Sequence, residues 1–430
     1  MTTHIKYIKR LYLVLISCTS IFALSAQRVY TLDECIQEAV SNNARIKNAN
    51  NNLSIARHTN KEAFTNYFPS LSASGTGYLA DKGLIDLQLI PGKTLSLIKN
   101  GVLGSVTASV PIFTGGSIIN ANKLSKVNVE ASRLQRDQSE NEVKLTTEQY
   151  YWQIVMLKEK LKTITIIEEQ LKNLHKEVDA AVSAGITNRN DLLQVQLQNN
   201  ETRSTRIQIE NALVVSRNLL AQYIGHLEDS IDVSLTLQDT LPEHPDGLYT
   251  HPETALPLTN EYNLLKQNVK AAELEHKISI GKNLPTIAIG GGYMYDNLMD
   301  EDHSVWMGFA TVSVPISGWW GGSHNIKKHK LQVINAENQL SDQSQLLVIH
   351  MKNKWNSLTE AYKQVEIAIE SIGQATENLR LQTEFYQAGT CTMSDLLKAQ
   401  TLFQQSRDNY VESYAQYEIK KREYLQATGR

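Results

Sequence analysis

The spacing of apolar residues changes several times along the chain, and each change predicts a new element. From Thr31 to Asn66 the spacing is helical, in TLDECIQEAVSNNARIKNANNNLSIARHTNKEAFTN. Thr31 with Glu34 three residues on is a capping-box signature, and Pro69 ends the helix. The period then falls to two. In SLSASGTGYLA, Leu71, Ala73, Gly75, Gly77 and Leu79 take one face; Ser70, Ser72, Ser74, Thr76 and Tyr78 take the other. SVTASVPIF at 105–113 is the return strand. Residues 117–184 then hold no proline or glycine, enough for about 100 Å of helix. Gly185 suits a left-handed C′ position, Asn190 is placed to cap the next helix, and that helix returns through 191–225.

The same succession then runs again. A helix over 259–283 is broken at Pro285, and strands follow at 286–295 (TIAIGGGYMY) and 305–316 (VWMGFATVSVPI). A helical stretch over 323–388 contains only Gly373; Gly389 makes the corner, Ser394 the cap, and 395–428 returns. VPIFTGGS from Val110 and VPISGWWGGS from Val314 lie 204 residues apart. So do AGITNRNDLLQVQ from Ala184 and AGTCTMSDLLKAQ from Ala388, and so do Gly225 and Gly429. One spacing at three anchors indicates a tandem duplication, too long for a solenoid repeat. The first repeat covers 27–225, a linker 226–258 and the second repeat 259–430.

Strands of roughly 9–12 residues with period two have the length of tilted membrane strands. The connections over 81–104 and 296–304 are long for hairpin turns, as loops on one side of such barrels are. The returning helices are too polar for a compact bundle: in QLQNNETRSTRIQIEN only Leu197, Ile207 and Ile209 are large and apolar. One narrow seam and one wet face suit the wall of a water-filled tube. Four strands cannot close in lipid, so the chain must oligomerise; three copies supply twelve strands.

Composition sharpens this picture. A net charge of −3 gives no reason to expect nucleic acid as a partner. Lys6, Lys9 and Arg10 precede the apolar run LYLVLISCTSIFALSA, and Ser25–Ala26 suits a peptidase, so 1–26 reads as a signal peptide. LISC at 15–18 resembles a lipoprotein box, and Cys18 is the alternative, lipidated N-terminus. Beyond the signal no run of 18 apolar residues exists, which excludes a helical membrane protein. Cys35 and Cys391 form no disulfide framework. G-x-S-x-G, H-E-x-x-H and paired-cysteine motifs are all missing, so neither catalysis nor a cofactor or metal is expected.

The duplicated VPIF-x-GG and VPIS…GG strand ends, the strand entries at Phe68-Pro69 and Leu284-Pro285, and the paired AG-x5-DLL corners together resemble the TolC-type outer-membrane factor family over 30–430. The resemblance implies a mixed α and β membrane protein. Its trimer would share a 12-stranded outer-membrane barrel, four strands per chain, continuing into a long periplasmic α-helical barrel. It implies an exit duct for a tripartite efflux or type I secretion system of a Gram-negative bacterium. A periplasmic adaptor and, through it, an inner-membrane pump of RND or ABC type would be the partners. The corner occurs twice because each chain brings two tips to the periplasmic mouth. By the same resemblance Asp395 belongs to the ring that narrows the mouth, where the family's second aspartate is replaced by Lys398. Tyr386 and its partner Asp191 match a closing contact, and Cys391 stands where the family has an arginine, so that charged bond is missing. Gly185, Asn190, Leu192, Gly389, Ser394 and Leu396 form the tip turns and adaptor contact.

Other features have plainer readings. Trp306, Trp319 and Trp320 lie near strand ends, as girdle residues or as packing. Tyr150, Tyr151 and Trp152 read as helix packing. In SHNIKKHK, His324 and His329 do not share a helical face, and the lysines meet headgroup phosphates or solvent. GGG at 290–292 lacks a following lysine and is no phosphate loop. The rival to a duct is a periplasmic coiled-coil scaffold or adhesin, which has no need of four amphipathic strands.

Overall fold

The computed structural model describes residues 28–82, 85–91, 93–97, 100–227, 231–234, 237, 239–297, 301–316 and 318–430. The expected signal peptide and Cys18 lie outside the described residues. The chain begins with β1 (Arg28–Tyr30), α1 (Leu32–Asn42) and α2 (Ala44–Thr65). The capping box forms as expected: Thr31 Oγ accepts from the Glu34 amide, and Glu34 accepts from the Thr31 amide. The single helix expected over 31–66 is broken at Asn43, whose extended backbone ends α1 while its side-chain oxygen accepts from the Arg45 amide to start α2.

Strands β2 (Ser70–Leu79), β5 (Asn100–Phe113), β7 (Thr286–Asp296) and β8 (His303–Ser313) form one antiparallel sheet in the order β2-β5-β7-β8. A separate hairpin, β3 (Ile85–Ile90) with β4 (Lys93–Leu97), occupies the connection expected to be loop. Leu71 pairs with Ala108 and Ala73 with Val106, so one face is apolar. On the other, Ser72 and Thr107 share a hydrogen bond of 2.8 Å, as do Ser74 and Ser105. Pro111 falls where the β5–β7 register shifts, the position at which a sheet tolerates a missing donor. The three glycines of β7 are explained by close approach: a Cβ on Gly290 would lie 2.6 Å from both Ala108 O and Phe309 Cζ.

The long helices are α3 (Ser117–Ser183), α4 (Arg189–Ile224), α6 (Gly318–Gln387) and α7 (Met393–Ala427); α5 (Asn260–Gly281) precedes β7. Trp319 and Trp320 are therefore not strand-end residues. They lie in the first turn of α6, because the second repeat starts its helix before the GG pair, whereas Gly115 and Gly116 of the first stay in a left-handed turn. Trp306 lies within β8 against Tyr293, ring centroids 5.1 Å apart.

Two compact units are each drawn from both repeats: among the described residues, those of 28–48, 137–259 and 347–430 form one, and those of 49–136 with 260–346 the other. The second unit carries the four-stranded sheet with α2, α5 and the first parts of α3 and α6. Its close point is Gly115 against Gly281, where a Cβ on Gly281 would sit 2.6 Å from the Gly115 oxygen.

The first unit holds the main core. Tyr151, Trp152, Ile154, Val155 and Leu220 are buried with Tyr30, Cys35 and Ile231. The segment expected to be a linker is built into this core. β6 (Ile231–Val233) pairs in parallel with β1, Ile231 and Val233 are buried, and Asp232 is held by Lys158 and Arg217, each at 2.9 Å. Burial alone would raise the Asp232 pKa; the two cations overcome it and hold the carboxyl below its usual range. Tyr410, Tyr417 and Tyr424, a heptad apart on α7, each donate to the segment's backbone, at Thr240, Glu243 and Thr250. α3 and α7 pack antiparallel through Gln170–Gln400, Lys160–Glu412, Glu148–Arg422 and Asn141–Gln426.

Candidate functional site: the paired helical corners

Both corners stop their first helix the same way. Gly185 and Gly389 sit at φ +71° and +72°. The next amides reach back five residues, Ile186 to Ala181 O at 2.9 Å and Thr390 to Phe385 O at 2.9 Å. This is the Schellman arrangement, and it recurs at Gly225 and Gly429.

The caps that start the second helices are not the residues expected. Asn188, not Asn190, accepts from the Asp191 amide at 3.1 Å, and Thr392, not Ser394, accepts from the Asp395 amide at 3.2 Å. Asn190 and Ser394 are exposed residues inside the first turn. The physical reason is that the Schellman turn needs only Gly and one further residue before the chain can extend into the cap. Asn188 and Thr392 lie 204 apart, as do Asp191 and Asp395, so the duplication itself carried the missed signal.

The two aspartates have different partners. The Asp395 carboxylate closes a reciprocal capping box, accepting from the Thr392 amide at 3.1 Å and hydroxyl at 2.6 Å. Those bonds, with the nearby Lys398 charge, hold it below the usual carboxylate range, so an exposed negative charge is fixed at the corner. Lys398 is exposed one turn on. Asp191 is half-buried and accepts from Thr187 at 2.5 Å within its own corner.

The expected Tyr386–Asp191 hydrogen bond is not made. Tyr386 is half-buried, and burial first, then the Asp191 charge, raises its pKa; the two are neighbours while Thr187 holds the carboxylate. Cys391 donates to Gln382 O at 3.5 Å and makes no charged bond.

Leu396 is corrected from adaptor contact to core. It is 5% exposed, in a cluster with Ile167, Leu171, Val178, Val195, Met393 and Leu397 that joins the two corners, with Leu192 packed against it. The apolar side chains presented outward near the first corner are Ile186 and Leu193. A groove of about 300 Å³ opens beside this cluster, lined by Gln170, Glu177, Thr383 and Gln400 among others. Among the described residues no group of acidic, His and Cys side chains is arranged to hold a metal, and no helix is long and apolar enough to cross a membrane.

A family model described as outer membrane efflux protein matches residues 35–226 and 264–430, reaching into both repeats. No curated protein matches the chain by sequence. Among solved structures, the chain is similar in fold to the transmembrane channel CusC, with TM-score 0.81 and 16% identity over 93% of this chain and 92% of that one. It is similar to the CmeC outer membrane channel of Campylobacter jejuni, with TM-score 0.80 and 16% identity over 93% and 85% of the two chains. It is also similar to the outer membrane protein VceC of Vibrio cholerae, with TM-score 0.78 and 13% identity over 93% and 96%. Matched in both of its repeats, the chain belongs to the outer membrane efflux protein family, and it shares its fold with outer-membrane channels.

Proposed function

We propose that three copies of this outer-membrane efflux channel close one twelve-stranded barrel. The trimer is a passive exit duct, fed by an inner-membrane pump of RND or ABC type through a periplasmic adaptor. The observation that carries the reading is the sheet order β2-β5-β7-β8. Every pairing in it is antiparallel, so its two edge strands run in opposite directions, and β8 of one copy can pair antiparallel with β2 of the next. All 11 residues of β8 are exposed in the single chain. Open edges are not tolerated in lipid, whereas closure by identical copies removes them. A pore-less scaffold leaves this sheet without a purpose.

The duct performs no chemistry; the pump supplies the energy. The corners form its periplasmic gate. Three Asp395 carboxylates around one axis attract cations, and three Lys398 ammoniums offset that field. Opening separates the 386–400 corner from the 184–196 corner as an iris when the adaptor docks. Ile186 and Leu193 offer the adaptor an apolar contact beside Gly185. The test is the native mass of the protein extracted in detergent from the outer-membrane fraction. Three chains per particle are expected, and a stable monomer would refute shared closure.

A further inference from the structure

The first turns of α3 and α6 carry a feature that efflux itself does not require. Lys123 and Lys126 on α3 recur 204 residues on as Lys327 and Lys330 on α6. All four are exposed, and among the described residues none is held by an ion pair. Each pair is spaced i, i+3, so both lysines share one helix face. On that same face, nearer the sheet, stand Ile119, four residues before Lys123, and Trp320, seven before Lys327. Ile119 is 51% exposed and Trp320 83%. The other end of the indole region is fixed, because Trp319 donates to Asn283 O at 2.9 Å.

An apolar residue followed along one helical face by two cations is the profile of a membrane-interface anchor. The lysines lie within about three turns of the helix start, and their stems can reach back toward the bilayer while the ammonium stays wet. A largely exposed indole facing a water-filled lumen would have nothing to cover it. We propose that Lys123, Lys126, Lys327 and Lys330 form a basic collar that binds the phosphate groups of phospholipid headgroups in the periplasm-facing leaflet. Charge complementarity and continuity with the membrane-spanning sheet support this occupant. The proposal rests on the outer-membrane duct reading. In a trimer the collar holds twelve lysines at six stations, three of each kind.

The experiment compares wild type with K123Q/K126Q/K327Q/K330Q. Both are reconstituted into vesicles of phosphatidylethanolamine and phosphatidylglycerol, then re-extracted, and the phosphatidylglycerol retained per particle is counted by native mass spectrometry. Conductance and reversal potential are recorded in parallel. Each lysine removed is expected to lower phosphatidylglycerol retention about fivefold at its station, with unchanged single-channel conductance. Equal retention in a variant that conducts normally overturns the collar alone. A shifted reversal potential with equal retention places the lysines in the lumen and also overturns it. If inorganic phosphate displaces the lipid at millimolar concentration, the site is one for free anions and the lipid assignment fails. A wild type that forms no pore in these vesicles refutes the duct reading and the collar with it.

Discussion

Gly389→Ala isolates the backbone strain at a corner. Gly389 has φ +72°, and an added Cβ would meet nothing within 4 Å. The substitution therefore costs only the left-handed conformation, about 1–2 kcal/mol for an L-residue. That cost should raise the population of the opened corner about 5- to 30-fold. Hydrogen–deuterium exchange of peptides covering 384–400 in the detergent-solubilised protein reads this directly. Gly373→Ala is the counter-experiment. It too has nothing within 4 Å but lies inside α6 without a positive φ, so it should stabilise by about 0.5–1 kcal/mol and slow exchange around it. Gly281→Ala separates the remaining effect, since its Cβ would strike the Gly115 oxygen at 2.6 Å with no strained φ. If Gly389→Ala exchanged at the wild-type rate, or slowed as Gly373→Ala does, the corner would not be strained and the reasoning would fail.

Further outcomes follow from buried charge and from the corners. Glu148 is 5% exposed beside Arg422, and burial raises its pKa. Arg422→Ala should cost about 3 kcal/mol near neutral pH. The loss should shrink as pH falls toward 4.5, the ordinary value, because the protonated carboxyl needs no cation; a pH-independent loss in thermal unfolding would contradict it. Burial pushes Asp408 up to about 6, opposed by the nearby Lys160 charge and helped by that of Glu412. A folded pKa above the unfolded 3.8 means stability falls as pH rises from about 4 to 6. Asp408→Asn should thus stabilise by about 1 kcal/mol at pH 7, after solvent screening, and by nothing below pH 4, as read by urea unfolding. Lys398→Asp should raise cation selectivity in bilayer recordings, and an unchanged reversal potential would remove Lys398 from the pore. Tyr386→Phe should leave conductance as it is, because Thr187 already satisfies Asp191, whereas Tyr386→Ala should loosen the corner cluster and increase leakage.

Local chemistry made much of this fold legible. The capping box at Thr31, the four sheet strands and the left-handed glycines at both corners are set by nearest neighbours in sequence, and the structure has them. Boundaries moved where tertiary context intervened: β5 starts at Asn100 because Leu79 is there to pair with it. Asn190 and Ser394 look like caps by residue type, yet Asn188 and Thr392 have the extended backbone a cap requires. Leu396 could not be sorted from Ile186 by hydrophobicity alone, because one faces the joined corners and the other faces outward. The stretch 226–258 has no strong period, and its described residues are placed by long-range partners, Lys158, Arg217 and three tyrosines of α7. No reading of the segment by itself could supply them.

Each compact unit takes strands or helices from both halves of the chain. During synthesis, therefore, neither can close when the first half is finished. The apolar side chains at the first corner, Ile167, Leu171, Val178 and Val195, must wait until Met393, Leu396 and Leu397 of α7 emerge some two hundred residues later. For a protein of the outer membrane this delay is an advantage. A polypeptide bound for another compartment has to be threaded through a narrow translocon before it folds, and here the order of its parts delays completion of either unit until most of the chain has been made.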